Sequence, residues 1–199
     1  MPPMKIRPSS ISSKPDHHLT LSRRQFLYGG AVLTAGLALP GSLRAAIAPD
    51  DAQQQRLILF NLHTREKLDV CYAQRGAYRP EALAAINNIL RDHRANKIHP
   101  IDTRLLDLLS AIRSRVGPDA CLHIVSGYRS PETNQMLRQR SHRVARKSLH
   151  MKGHAADIRI PGVPTKKLRK IAIGLRQGGV GYYPRSRFVH VDIGQVRTW

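Results

Sequence analysis

Acidic residues are scarce in this chain: 13 Asp and Glu stand against 33 Lys and Arg in 199 residues, a formal charge of +20. Cysteine is scarcer still, at two residues, which excludes a small disulfide scaffold and a zinc ribbon built on thiolates. Aromatic residues make up 5% of the chain, so a core has to be assembled from Leu, Ile, Val and Ala. The apolar stretch from Phe26 to Leu39 holds about 14 residues, short of the roughly 20 that cross a bilayer as a helix. Internal repeats and low-complexity tracts are absent as well.

What is present begins with an export leader over residues 1–48. Ser22-Arg23-Arg24-Gln25-Phe26-Leu27 sets a twin-arginine pair before the apolar stretch, Pro40-Gly41-Ser42 ends it, and Ala45, Ala46 and Ala48 offer small residues for cleavage. A retained signal-anchor is the alternative; export is favoured. Such signals mark a bacterial route for folded proteins, so the expected partner during export is the twin-arginine translocase. The expected location is the periplasm, with no stable membrane span once the leader is removed. Removing the leader takes away six bases and one acid, leaving 27 against 12, or +15. A field of that size attracts a polyanion. For an exported protein, peptidoglycan with its stem-peptide carboxylates fits better than nucleic acid, for which no motif is present.

Residues 49–55 are polar and read as a flexible lead-in to a single domain over 56–199. Arg56 to Leu62 and Glu66 to Tyr72 are β-type runs separated by His63-Thr64-Arg65, a hairpin pattern. Pro80 opens a helix with Leu83, Ile86, Ile89 and Leu90 at helical spacing. Asp102 caps a second, with Leu105, Leu106, Leu109 and Ile112 on one face and Gly117-Pro118 as its stop. A strand over 121–125 runs into Ser126-Gly-Tyr-Arg-Ser-Pro131, where Ser130 is the N-cap of a helix to about Arg143. A strand over 154–160, a helix over 164–177 and a last strand over 188–193 follow. The order predicts an α+β fold: a small, mostly antiparallel sheet with packed helices. Cys71 and Cys121 both sit in or beside β-type runs, and pairing or two buried thiols remain equally open.

From residue 120 onward 16 bases face only Glu132, Asp157 and Asp192, so the positions of these acids carry information. His190 and Asp192 are two apart in a strand and project from one face. His150, Asp157 and His190 supply two imidazoles and a carboxylate, a candidate three-ligand zinc set with the fourth position open. A base must then take a proton, and Asp192 is the nearest acid in sequence.

Ser148-Leu-His150-Met-Lys-Gly153-His-Ala155-Ala-Asp157 and Phe188-Val-His190-Val-Asp192 together resemble the signature of the zinc D-Ala-D-Ala peptidases, a group that includes murein endopeptidases and endolysins. Ser126-Gly-Tyr-Arg-Ser130 is similar to the group's upstream substrate block. Arg91-Asp-His-Arg-Ala-Asn-Lys-Ile98 and Gly178-Gly-Val-Gly-Tyr-Tyr-Pro-Arg185 draw the likeness towards its murein endopeptidases, from about Leu57 to Trp199. The resemblance implies a zinc D-Ala-D-Ala peptidase (hedgehog-like) fold. It also implies Zn2+ held by His150, Asp157 and His190, and hydrolysis of peptide cross-links in murein. The implied bonds are meso-diaminopimelate to meso-diaminopimelate and also D-Ala to meso-diaminopimelate. Arg129 matches the arginine that holds a substrate carbonyl or carboxylate, and Ser148 stands in the ligand motif at the cleft. Several members place a Glu three residues, or a His two residues, before the last ligand; here those positions are Arg187 and Phe188. Asp192 therefore has two open roles, base or orienting partner of His190. The basic run Arg138 to Lys147 likewise has two, a solvated helix face or a hold on the anionic matrix. A catalytically silent peptidoglycan-binding protein on the same fold is the alternative to an enzyme.

Overall fold

The computed structural model describes residues 54–141 and 144–199. The leader, residues 49–53 of the lead-in, and His142 and Arg143 of the basic run lie outside the described residues. In chain order the elements are β1 (Gln54–Asn61), β2 (Lys67–Gln74), β3 (Ala77–Tyr78), α1 (Pro80–Ile89), α2 (Thr103–Val116) and β4 (Leu122–Ser126). After them come α3 (Pro131–Arg140), a short 3-10 turn (Leu149–Lys152), β5 (Ala155–Arg159), α4 (Thr165–Leu175), β6 (Gly179–Tyr183), β7 (Phe188–Asp192) and β8 (Arg197–Thr198).

One sheet joins all eight strands in the order β3-β2-β1-β4-β5-β7-β6-β8. It is larger than the small sheet expected, because β3, β6 and β8 carry no clear strand pattern in sequence. The pairs β1–β4 and β6–β8 are parallel and the others antiparallel. The mostly antiparallel α+β expectation therefore describes the sheet, with two parallel joints added.

Local chemistry sets the element ends. The Asp102 side chain accepts from the Arg104 N–H at the start of α2, and Ser130 Oγ accepts from the Thr133 N–H at the start of α3. Pro80 and Pro131 fill the first helical positions, where a missing N–H costs nothing. Three boundaries differ from expectation. Gln54 and Gln55 belong to β1 rather than the lead-in, because their backbones pair with Gln74 and Ala73 and the Ser110 hydroxyl donates to Gln55. Helix α3 stops at Arg140, not near Arg143, where Ser141 turns extended and Asn134 Nδ2 donates to Ala145 O. Helix α4 ends at Leu175 because Arg176 takes a left-handed conformation (φ 53°). Cys71 and Cys121 are both free thiols.

Alternation in the strands divides the sheet into two faces. Leu57 and Leu59 of β1, Leu122 and Ile124 of β4, Ala156 and Ile158 of β5, and Val189 and Val191 of β7 join one core with Ile86 of α1, Leu105 and Leu109 of α2, and Leu168 of α4. Helices α1 and α2 pack on β1 while α4 packs on β6 and β7. The intervening residues of β5 and β7 face away from that core, and these are Asp157, His190 and Asp192. No helix among the described residues is long and apolar enough to cross a membrane.

Candidate functional site

Asp157 and His190 are direct cross-strand partners in the β5–β7 ladder, and Ala155 pairs with Asp192. Two-residue periodicity therefore places Asp157, His190 and Asp192 together on the sheet face opposite the helices. His150 arrives from above that face on the 3-10 turn, which Gly153 ends in a left-handed conformation (φ 67°). A Cβ on Gly153 would lie 2.3 Å from Pro100 O, so this turn can close only with glycine.

The three ligand-type atoms converge. His190 Nδ1 lies 2.8 Å from Asp157 Oδ1, His150 Nε2 lies 3.3 Å from the same oxygen, and the two imidazole nitrogens are 3.2 Å apart. A tetrahedral ion with bonds of about 2.0–2.1 Å holds its ligand atoms roughly 3.3 Å apart. Each imidazole is also held by its other nitrogen. His150 Nδ1 donates to Gly127 O at 2.7 Å, and His190 Nε2 donates to Asp192 Oδ2 at 3.2 Å. Those bonds fix the ring orientations and aim His150 Nε2 and His190 Nδ1 at Asp157. Among the described residues this is the one His/Cys/Asp/Glu cluster with metal-holding geometry, and its donor set suits a divalent cation.

Electrostatics agree with that. Burial alone would raise the Asp157 carboxyl, but His150 and His190 outweigh it and hold it far below the usual carboxylate range. Burial would lower His190, yet its bonds to Asp157 and Asp192 push it up to about 9. His150, fully enclosed, is lowered by burial. The site thus draws positive charge to the place where the three donors meet.

The triad opens into a cleft of about 530 Å³ whose lining includes Arg129, Lys147, Ser148, Tyr183, Phe188 and Trp199. Arg129 Nη2 lies 3.3 Å from Ser126 Oγ and 3.5 Å from Asp157 Oδ2, while its buried Nε has no hydrogen-bond partner among the described residues. Burial lowers the guanidinium and the Asp157 carboxylate supports it. A buried, under-used cation beside the triad is suited to an oxygen that gains negative charge.

A family model described as Peptidoglycan L,D-endopeptidase MepK matches residues 50–199. The chain belongs to that family. Peptidoglycan L,D-endopeptidase MepK of Escherichia coli (strain K12) is 42% identical over 178 residues, covering 89% of this chain and 97% of the relative. The Probable peptidoglycan L,D-endopeptidase MepK of Haemophilus influenzae is 37% identical over 185 residues, covering 92% of this chain and 98% of the relative. Membership of the MepK family makes this chain a hydrolase of the metallopeptidase class.

Within this MepK-family chain the expected site residues come together: Arg129, Ser148, His150, Asp157, His190 and Asp192 all line one cleft. Asp192 is placed behind His190 rather than in front of the triad. It is fully buried and accepts from the N–H groups of Gly179 and Gly194, from both Arg197 amino groups, and from His190. Those donors hold its carboxyl far below the usual range against the opposing effect of burial. His154 turns away, its Nε2 lying 3.6 Å from Asp102. The basic run contributes Ser141, Val144, Ala145 and Lys147 to the rim.

Sequence reasoning missed several supports. Asp92, buried in the 91–98 loop, accepts from the Ser130 N–H (2.9 Å) and hydroxyl (2.7 Å) and from the N–H groups of Arg94 and Ala95. It thereby holds the residue next to Arg129. Gly127 approaches Leu90 so closely that a Cβ would lie 2.4 Å from Leu90 O. The 91–98 block stood out by resemblance alone, and no periodicity linked it to residue 130, because that contact is made only in three dimensions.

Proposed function

We propose that this chain is a zinc-dependent peptidoglycan endopeptidase that hydrolyses peptide cross-links of murein. The bonds are meso-diaminopimelate to meso-diaminopimelate and, alongside it, D-Ala to meso-diaminopimelate. The observation that carries the reading is the convergence of His150 Nε2, His190 Nδ1 and Asp157 Oδ1 at tetrahedral spacing on the floor of a cleft, in a chain that matches the MepK model over 50–199. The mixed sheet with its site face opposite the helices supports a zinc D-Ala-D-Ala peptidase fold. One domain, extended by β1 to begin at Gln54 rather than Arg56, follows a leader that directs export by the twin-arginine route to the periplasm and is cleaved there. The similarity to the Escherichia coli relative covers 89% of the chain, more than the 50–199 that the family model matches.

Zinc in this site supplies a Lewis acid that activates water and polarises the amide carbonyl. The protein does the rest through fixed side chains. Gly127 O and Asp192 Oδ2 hold the imidazoles, so no reorganisation is needed as charge develops. Arg129 lies beside Asp157 and takes the oxygen of the substrate carbonyl as it becomes anionic. Ser148, nearly buried at the start of the 3-10 turn, lines the cleft beside His150 and offers its hydroxyl to the peptide. Of the two roles open for Asp192, orientation of His190 has the support. Every bond that saturates the carboxylate comes from behind the ligand, leaving no oxygen turned to water in the cleft.

The test is mass spectrometry of defined cross-linked muropeptide dimers of both kinds, incubated with the mature protein with and without a chelator. Chelator-sensitive cleavage is expected, together with loss of zinc and of cleavage in His150→Ala. Intact dimers after incubation with zinc-loaded protein would make the chain a silent peptidoglycan binder instead.

A further inference from the structure

The stretch after β7 builds something that metal binding does not account for. Strand β8 runs parallel to β6 and carries Arg197 to Asp192 and Trp199 to the cleft. Trp199 is the chain's one tryptophan, and it is anchored from several sides. Its N–H donates to Val180 O at 3.2 Å, its carbonyl accepts from the Tyr182 N–H at 2.9 Å, and its indole Nε1–H donates to the Tyr183 hydroxyl at 3.0 Å. The Arg197 guanidinium lies 4.9 Å from the ring centroid, and the His190 ring lies 5.4 Å away at 48°. Gly181 makes room for it: a Cβ there would sit 2.8 Å from the indole.

So firmly held an indole would be buried if it served packing alone, yet Trp199 remains 48% exposed and lines the cleft with His190 and Arg129. A rigid, half-open aromatic face is an inexpensive contact surface, because little side-chain entropy remains to be lost on binding. Tyr183, which accepts its indole proton, stacks on Phe188 with centroids 4.6 Å apart, so the aromatic surface continues along the lining. Arg129 and Lys147 give the same cleft a cationic part. Aromatic surface beside cations is complementary to an alkyl stem that ends in a carboxylate.

We propose that Trp199 is a specificity-determining residue that packs against the side-chain stem of the residue donating the scissile carbonyl. This rests on the endopeptidase reading above. A diaminopimelate donor has a three-methylene stem to lay on the indole, whereas a D-Ala donor has only a methyl group. Trp199 thus favours the diaminopimelate to diaminopimelate bond over the D-Ala to diaminopimelate bond.

The experiment measures kcat and KM of the zinc-loaded full-length mature protein on both dimers, for wild type, Trp199→Ala and Trp199→Phe, with bound zinc determined for each. Trp199→Ala should lower the ratio of kcat/KM between the two dimers about tenfold, mostly through KM, as expected for lost methylene contacts. Trp199→Phe keeps an aromatic face and should restore most of the ratio with zinc unchanged. In the wild type, stopped-flow mixing with the diaminopimelate-linked dimer should change the single indole's emission before cleavage. An unchanged ratio in both variants, or a fall in kcat that tracks lost zinc, overturns the role of Trp199 while leaving the endopeptidase reading intact. Wild-type protein that cleaves neither dimer overturns that reading and this inference with it.

Discussion

Asp192 shows how much a residue's neighbours decide about its chemistry. A carboxylate two residues from a ligand reads in sequence as a base as readily as a support. In the folded protein it accepts bonds from Gly179, Gly194, Arg197 and His190 at full burial, which suits holding an imidazole more than receiving a proton from water. Replacing it with asparagine leaves an oxygen for the His190 N–H but removes the charge. The expected outcome for Asp192→Asn is a zinc affinity lowered about tenfold, within the usual range for a partner that orients a ligand. Competition with a chromophoric chelator measures this. At saturating zinc, turnover should return; loss of turnover with zinc fully bound would give Asp192 the base role. Arg129, by contrast, stood out in sequence only through the resemblance of its block, and its place 3.5 Å from Asp157 is visible only in the folded protein.

At the scale of elements, the loop over 91–98 and the segment over 126–130 act as one support. Asp92 Oδ2 takes both Ser130 donors, Tyr128 N–H donates to Leu90 O, Arg129 N–H donates to His150 O, and Gly127 O receives His150 Nδ1. One chain of bonds therefore runs from a buried loop carboxylate to His150, a candidate metal ligand. Burial opposes ionisation of Asp92, but the side chains of Thr133 and Ser130 and the nearby N–H groups overcome it and hold the carboxyl at about 2. Since the folded value lies below the ordinary 3.8 of an aspartate, the contribution is present above pH 4 and is lost as pH falls towards 2. It amounts to about 2 kcal/mol in order of magnitude. Urea unfolding at pH 6 and pH 3 should show a loss in wild type that is much smaller in Asp92→Asn, which is already less stable at pH 6. An equal loss in the two proteins would assign the acid sensitivity to other carboxylates.

On the scale of the whole molecule, charge and catalysis separate. The cleft chemistry depends on atoms within a few ångströms, whereas the excess of bases over acids acts over roughly a Debye length, about 8–10 Å at ordinary salt. From Ile158 to Val191 the chain has no acid at all, and Lys166, Lys167 and Lys170 on α4 are exposed. Raising salt from 50 to 500 mM should therefore weaken adsorption to isolated sacculi severalfold, while kcat on a soluble cross-linked dimer changes little. Co-sedimentation and kinetics on the same protein sample distinguish the two. A salt response of equal size in both would place the charge effect in the cleft itself.

Much of the fold was open to sequence reasoning because it rests on local rules. Periodicity in 80–90 and 103–116, caps at Asp102 and Ser130, and the hairpin around His63-Thr64-Arg65 each act within a few residues. Strand alternation likewise set His190 and Asp192 on one face before any coordinates were known. The candidate ligand set rested on residue type and on the family resemblance of its motifs, and its atoms lie close together in the fold. Other features depended on neighbours distant in sequence. The glycine-rich β6 is a strand because β7 and β8 pair with its two edges, and Gly181 has no Cβ because Trp199 lies there. Asp92 serves Ser130 across 38 residues, and Cys71 on β2 and Cys121 just before β4 stay free. Sequence by itself determined the elements, the donors and the charge, since these follow from each residue and its near neighbours. Tertiary structure alone decided which groups support the donors and that Asp192 is buried behind His190, because hydrogen bonding and burial are properties of contacts that only folding creates.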